Sequence, residues 1–357
     1  MSGLSFSVVC PTYQGEKNLP ALINCLAMNF TKNAHNPEII FVIDNSCDSS
    51  EALLEEFRKS YPGEKIIIHK NQTNLGPAKS RNIGVELALG EIILFLDDDC
   101  RPNPTWYRNF SAAWNSAESQ IQGIGGFVDP TELETFNGQY SSVFQPIRPW
   151  PLVPEKISLF QKLRNYYQTP DPITQGVAYL AGANMSFRKK AFVNIGGFSP
   201  SLRIAEDIAI CHRLRLVYGD NCLSVRDELL MPHEFTKSFT NTLRRSFAYG
   251  LGSGKNYLGR SGALSFNPGP GLIIGLLSLF AVVTIMTGNS KQRVLAYSVT
   301  FLILVIFFYS LLVIQSKVKW PIPFQKRIKF GFAFLMCEMA NTLGFMAGLR
   351  FIFSSRI

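Results

Sequence analysis

The sequence predicts an α/β domain built on a mostly parallel sheet, followed by C-terminal transmembrane helices. Three observations lead there. Short apolar, β-branched runs alternate with helical patterns along the N-terminal part of the chain. Acidic residues close two of those runs, and sheets of this kind bind ligands beyond the carboxyl ends of their strands. Two runs near the end of the chain carry no charge.

The elements follow in order. Leu4–Cys10 is apolar, is closed by Pro11 and reads as a strand. Lys17–Asn29 has helical spacing at Leu19, Leu22, Ile23 and Leu26. Glu38–Ile43 reads as a second buried strand. Asp48 with Glu51 three residues later marks a helix start, and that helix runs to Ser60. Lys65–His69 is a third strand, Pro77–Leu89 a helix ended by Gly90, and Ile92–Leu96 a fourth strand. Strands this short, separated by helices, imply a sheet covered on both faces. From Asp129 to Gln175 seven prolines exclude long regular elements. Order returns with Val177–Phe187 and a helix from Ala205 to Tyr218.

The domain is expected to end at residue 250. A glycine-rich joint over 251–270 leads to a membrane tail over 271–357. Gly271–Thr287 and Val294–Ile314 are uncharged and long enough to span, since a membrane helix needs about 17–25 residues. A third stretch, Phe330–Phe353, contains Glu338, Asn341 and Arg350, and fits either a span or an interfacial helix. Charge segregates with this division. Nine Lys/Arg and one acid follow residue 269, and residues 236–269 hold five Lys/Arg and no acid. The chain's +9 therefore belongs to the membrane end, which suits anionic or phosphorylated lipid and gives no footprint for nucleic acid. Seven scattered cysteines without metal-ligand or redox spacing read as reduced thiols in a cytoplasmic compartment. The start, MSGLSFSVVCPTY, does not read as a signal peptide.

The chemistry lies at the strand ends. Asp44 closes the second strand, and Asp97, Asp98 and Asp99 close the fourth. Three adjacent carboxylates repel one another unless a cation sits among them. A hard divalent ion, Mg²⁺ or Mn²⁺, fits oxygen ligands and keeps positions open for phosphate. The plainer reading is a solvated acidic turn.

The ordered motifs resemble glycosyltransferase family 2, whose fold is the Rossmann-like GT-A fold. They are Pro11-Thr12-Tyr13, Asp44, Asn74-Leu75-Gly76 with Arg81-Asn82-Ile83-Gly84, and Leu96-Asp97-Asp98-Asp99. A second block agrees: Ala181-Gly182-Ala183-Asn184-Met185, Gly196-Gly197-Phe198, Glu206-Asp207 and Arg213-Leu214. The resemblance spans about residues 5–250. It implies a membrane-anchored bacterial enzyme that moves a sugar from a UDP- or GDP-sugar to an acceptor hydroxyl, with inversion. The acceptor would be lipid-linked or saccharide, in envelope or exopolysaccharide synthesis. The catalytic domain would face the cytoplasm from a multi-pass inner-membrane anchor.

The resemblance also implies residue roles. Pro11, Thr12, Tyr13, Glu16, Asp44, Arg81, Asp97 and Asp98 would contact the donor. Asp99, Asp97 and His233 would hold the metal. Asn184, Glu206 and Arg244 would face the acceptor or diphosphate, and Asp207 would be the general base. Plainer readings stand beside these: Glu206-Asp207 as helix-dipole partners, Arg81 as an exposed helix residue, Tyr13 as core and His233 as structural. Two departures are visible. The second strand ends Asp44-Asn45, with one acid where the family commonly has two. The Gln-x-x-Arg-Trp motif of processive members is replaced by Asn241-Thr242-Leu243-Arg244-Arg245, which favours one sugar per acceptor. Two other classes fit less well. A nucleotidyltransferase would show a glycine-rich basic signature near the first strand, where this chain has PTYQGEKN. A catalytically silent membrane adaptor would have lost its strand-end acids or Glu206-Asp207.

Overall fold

A computed structural model describes residues 4–30, 36–131, 133–144, 177–235, 238–257, 270–301, 303 and 322–354. Two compact units divide the chain, one of residues 1–152 with 173–235 and one of residues 153–172 with 236–357.

The first unit is built on seven strands in the order β3-β2-β1-β4-β7-β5-β8. Its first four are β1 (Phe6–Thr12), β2 (Glu38–Ile43), β3 (Ile66–Lys70) and β4 (Ile92–Phe95). All four run parallel. β5 (Gly123–Gly125), β7 (Met185–Arg188) and β8 (Leu223–Val225) extend the sheet past β4, with β7 antiparallel to both neighbours. β6 (Val128–Pro130) and β9 (Met231–His233) form a separate parallel pair. The strand order turns back at β1 and β4, so the crevice beyond their carboxyl ends is the expected ligand site.

Alternation along the strands makes two cores. Val8, Cys10, Phe41 and Leu94 face helices α1 (Leu19–Phe30), α2 (Ser50–Ser60) and α4 (Trp106–Asn115), whose Leu22, Phe57 and Trp114 share that core. Val9, Val42, Ile93 and Phe95 face the other way, into a core shared with α3 (Pro77–Leu87), α6 (Lys189–Asn194) and α7 (Glu206–Tyr218). Gly84 lets α3 lie on β1, because a Cβ there would stand 2.3 Å from Val9 Cγ1. Gly84→Ala is therefore expected to destabilise the unit by about 1–3 kcal/mol through overpacking. A thermal melt reads this, and an unshifted melting temperature would contradict the close approach.

The predicted elements match in type, with ends shifted by a few residues. Two regions differ. Within the expected irregular stretch 129–175, Phe136–Phe144 is a helix (α5); residues 145–176 lie outside the described residues. The expected joint at 251–270 is helical up to Tyr257, as part of α8 (Phe239–Tyr257), and the first unit closes at Phe235 rather than at residue 250. The glycines of α8 serve contact rather than flexibility. Added Cβ atoms at Gly250 and Gly254 would meet Asn341 O at 1.9 Å and Phe345 O at 2.3 Å. Those partners belong to α10 (Phe324–Ser354), and Gly344 and Gly348 of α10 reciprocate against Phe247 O and Leu251 O. Glycines four apart on both helices let the two backbones touch.

Among the described residues one helix, Phe324–Leu349 within α10, is long and apolar enough to cross a membrane. Pro270–Thr287 (α9) and residues 290–301 are helical, whereas 304–314 of the expected second span lie outside the described residues. The multi-pass arrangement is thus not supported by the described residues.

Candidate active site

The β1–α1 loop, the ends of β2 and β4, α3, the residue before β7, the β9 strand and the start of α7 carry the predicted site residues of the first unit. The loop after β1 is tightly held. Gln14 adopts a left-handed φ of 49°, and its N–H donates to Ser46 Oγ at 2.9 Å. Gly15 is needed because a Cβ would stand 2.8 Å from Asp98 Oδ2. Tyr13 is 53 % exposed, so it is no core residue and its ring is open to a ligand. Thr12 is buried and Pro11 partly so. Exposed Glu16 accepts from Ser49 N at 3.1 Å and ties this loop to the start of α2.

Asp44 is buried at the end of β2. Its Oδ1 accepts from Asn71 Nδ2 and Leu75 N, and its Oδ2 from Gly76 N, each at 2.8 Å. The carboxylate thereby braces the loop leading into α3. Asn45 follows with a φ of 56°, a left-handed conformation that asparagine tolerates better than most residues.

The three aspartates after β4 have distinct surroundings. Asp97 Oδ1 accepts from Arg81 Nη2 at 2.6 Å. Asp98 Oδ1 accepts from Asn18 Nδ2 at 3.3 Å. Burial first, then repulsion from Asp99 and Asp97, pushes Asp98 up to about 7. Asp99 Oδ1 stands 2.9 Å from His233 Nε2, and that imidazole is buried. The loop and β9 are stitched together by Arg101 N donating to Pro232 O at 2.7 Å and Glu234 N donating to Asp99 O at 3.0 Å.

Asp99, Cys100 and His233 thus bring three ligand atoms within 4.8 Å of one another. Carboxylate with imidazole suits Mn²⁺ and tolerates Mg²⁺. Cys100 is the poorest match of the three, because sulfur is a soft donor that hard cations disfavour, and its S–H is directed at Ala183 O at 3.5 Å. Burial, then Asp97 and Asp99, raises this thiol well above its ordinary range.

α7 begins at Glu206, directly after Ala205, whose φ of 62° is an uncommon left-handed conformation for a residue with a Cβ. The strained turn sets Glu206 and Asp207 at the helix mouth. Asp207 Oδ2 accepts from Gly182 N at 3.1 Å and its Oδ1 from Ile208 N at 2.8 Å. Burial, then the neighbouring Glu206, nevertheless pushes Asp207 up to about 7. A carboxylate tuned near neutrality is what general-base chemistry needs.

Other expected contacts fall elsewhere. Arg81 is buried, neither an exposed helix residue nor open to a donor; Nη1 and Nη2 donate to Glu206 Oε1 and Asp97 Oδ1, both at 2.6 Å. Asn184 is fully buried. Its amide donates to Phe127 O and Leu229 O, and its Oδ1 accepts from Trp106 Nε1, so it braces the floor of the site rather than facing an acceptor. Arg244 belongs to the second unit, exposed on α8. Sequence reasoning missed the Arg81 pairings and Asn18. A buried arginine shows no pattern along the chain, and its partners come from distant segments.

Residues 7–196 match the sequence model of glycosyl transferase family 2. An uncharacterized glycosyltransferase of Haemophilus influenzae is 30% identical over 56% of this chain and 58% of its own length. The amylovoran biosynthesis glycosyltransferase AmsB of Erwinia amylovora is 34% identical over 35% of this chain and 39% of its own. The poly(ribitol-phosphate) beta-N-acetylglucosaminyltransferase TarS of Staphylococcus aureus is 36% identical over 36% of this chain and 23% of its own. The matches thus span less than two thirds of each of these relatives. In fold, the chain resembles the mannosyltransferase PcManGT of Pyrobaculum calidifontis, solved with GDP-Man and Mn²⁺, at a TM-score of 0.59 and 13% identity, over 96% of this chain and 88% of the other.

Proposed function

The chain belongs to glycosyl transferase family 2, and from that premise we propose that it is an inverting, divalent-metal-dependent transferase acting from a UDP- or GDP-sugar. The observation that carries the reading is the Asp207 carboxylate. It is held by two backbone N–H groups at a strained helix mouth, and burial beside Glu206 raises its pKa, in the same unit as the strand-end aspartates.

Asp99 and His233 are the residues that would hold Mg²⁺ or Mn²⁺, which supplies Lewis-acid charge to the departing diphosphate. The exposed ring of Tyr13 offers a stacking face for the nucleotide base. Asp207 takes the proton from the acceptor hydroxyl as that oxygen bonds to the anomeric carbon, and the electron pair of the broken bond leaves on the nucleoside diphosphate. Attack opposite the leaving group inverts the centre. The names of two relatives, for amylovoran synthesis and poly(ribitol-phosphate) glycosylation, favour a cell-surface polymer or its lipid-linked precursor as acceptor.

A screen of nucleotide sugars with the purified full chain and Mn²⁺ tests this. Release of UDP or GDP with sugar transfer is the expected result. Pyrophosphate release from a nucleoside triphosphate and a sugar phosphate, with no turnover of nucleotide sugars, would overturn it.

Attachment to a membrane through Phe324–Leu349, with the catalytic unit on the cytoplasmic side, completes the reading. Lys326, Arg327 and Lys329 cluster at one end of that helix, as residues at the cytoplasmic side tend to. In a cysteine-free background, exposed Gln325→Cys should resist labelling from outside intact cells and Arg356→Cys should accept it. Labelling at 325 from outside would reverse the orientation.

A further inference from the structure

Arg81 sits where neither a donor contact nor simple stability accounts for it. Its guanidinium joins Asp97, beyond β4, to Glu206, the first residue of α7, with both bonds at 2.6 Å. The side chain is 4 % exposed, and the ring of Phe198 lies 5.7 Å from its central carbon. Arg81 Nη2 and Asp207 Oδ2 also flank Gly182, at 3.7 and 3.5 Å from where a Cβ on that glycine would stand. One cation therefore touches the donor-side carboxylate, touches the residue preceding the base, and lies close to the base itself. A buried ion triad is a weak source of stability, since apolar side chains of the same volume often do as well. The planar fork of arginine does what such packing cannot, because it fixes two carboxylates in direction as well as distance.

We propose that Arg81 is a positioning residue for the transfer reaction, locking Asp97 and the base-bearing mouth of α7 into one rigid unit and setting the field around Asp207. The proposal rests on the transferase reading above. Arg81 acts through its two carboxylates and touches no reacting atom. The charged and titratable groups around Asp207 are Glu206 and Cys211 of its own helix and Arg81 of α3, with the N–H groups of Gly182 and Ile208 completing its surroundings.

Arg81→Met alone would leave two carboxylates without their cation and endanger folding. The test therefore compares Glu206→Gln with the double variant Arg81→Met/Glu206→Gln, which removes one of those charges, and adds Arg81→Lys. Relative to Glu206→Gln, the double variant should lose about 10²-fold in kcat at saturating donor, the scale of a small misplacement at a reacting centre. Its acid limb of kcat should move to higher pH, because Asp207 loses a neighbouring cation. Arg81→Lys should recover part of the kcat, as a point charge that cannot hold both carboxylates in direction. Equal kcat and an unmoved limb in the double variant would overturn the proposal. If that variant does not fold, wild-type kcat and an unmoved limb in Arg81→Lys overturn it instead. Wild-type protein that transfers no sugar from any donor overturns the transferase reading and this proposal together. Transfer by the wild type with unaffected variants overturns the role of Arg81 alone.

Discussion

Asp207→Asn is expected to lower kcat by a factor of about 10²–10⁴ while leaving donor affinity unchanged. The amide keeps the shape of the carboxylate but cannot take a proton, so the loss falls on the transition state rather than on binding. Single-turnover kinetics with calorimetric donor binding separates the two. Retention of more than about a tenth of the rate would remove Asp207 from the base role. The raised pKa adds a signature in pH. Wild-type kcat should fall as pH drops through about 7, where Asp207 takes up a proton.

Stability should move the other way, and the sign follows from linkage. The folded carboxyl binds a proton up to about pH 7, whereas the unfolded one releases it near about 3.9. Between those values the folded state holds more protons, so stability is greatest at the acid end and declines as pH rises through the window. Above it the fold bears the full cost of a desolvated charge. Asp207→Asn has no charge to bury, but its NH2 must face the N–H of Gly182 or Ile208, so its melting temperature relative to wild type should be lowest near about pH 4 and improve toward about pH 8. A difference that does not change with pH would contradict the raised pKa of Asp207.

Asp99→Ala should abolish the metal dependence of donor binding. His233→Ala should weaken it by about 10- to 100-fold or more, the range seen even when only an indirect partner of a ligand is removed. The motivation is geometric: Asp99 Oδ1 and His233 Nε2 stand 2.9 Å apart, from segments far separated in sequence, with His233 buried. Titration of UDP- and GDP-sugars with Mn²⁺ and with EDTA decides it. Unchanged affinity in Asp99→Ala, insensitive to EDTA, would sink the metal assignment. Wild-type affinity in His233→Ala would make His233 a partner of Asp99 rather than a ligand. Cys100→Ser should leave the metal dependence intact, because sulfur is a poor match for a hard cation and the S–H is directed at Ala183 O.

Much of this architecture is legible along the chain. The alternation of Val/Ile-rich runs with helical spacing is a local property, set by a period of about two in strands and 3.6 in helices. It places β1 to β4 and α1 to α3 within a few residues of where they lie. Acids at the ends of β2 and β4 are equally local, as is Glu206-Asp207 at a helix start. The short strands were not legible. Gly123–Gly125 and Met231–His233 are too brief to show a period, and only pairing across the fold makes them strands. Gly254 falls in the expected glycine-rich joint because glycine disfavours helix in isolation. Its close approach to Phe345 O and Gly348 of α10 reverses that preference, since only glycine admits it.

The class of fold and the acid-bearing strand ends were readable from residues within a few positions of one another, and Asp99 and Asp207 as candidate groups from the ordered motifs that resemble the family. Which of the candidates meet was set by the folded chain. It brought His233 to Asp99 by laying β9 along the loop after β4, left Tyr13 open and sealed Asn184 beneath the site. It also turned Arg81 from an expected donor contact into the link between Asp97 and Glu206. These outcomes depend on distances between segments far apart in the chain and on which side chains lose their water, and burial and long-range pairing exist only once the sheet has closed around them.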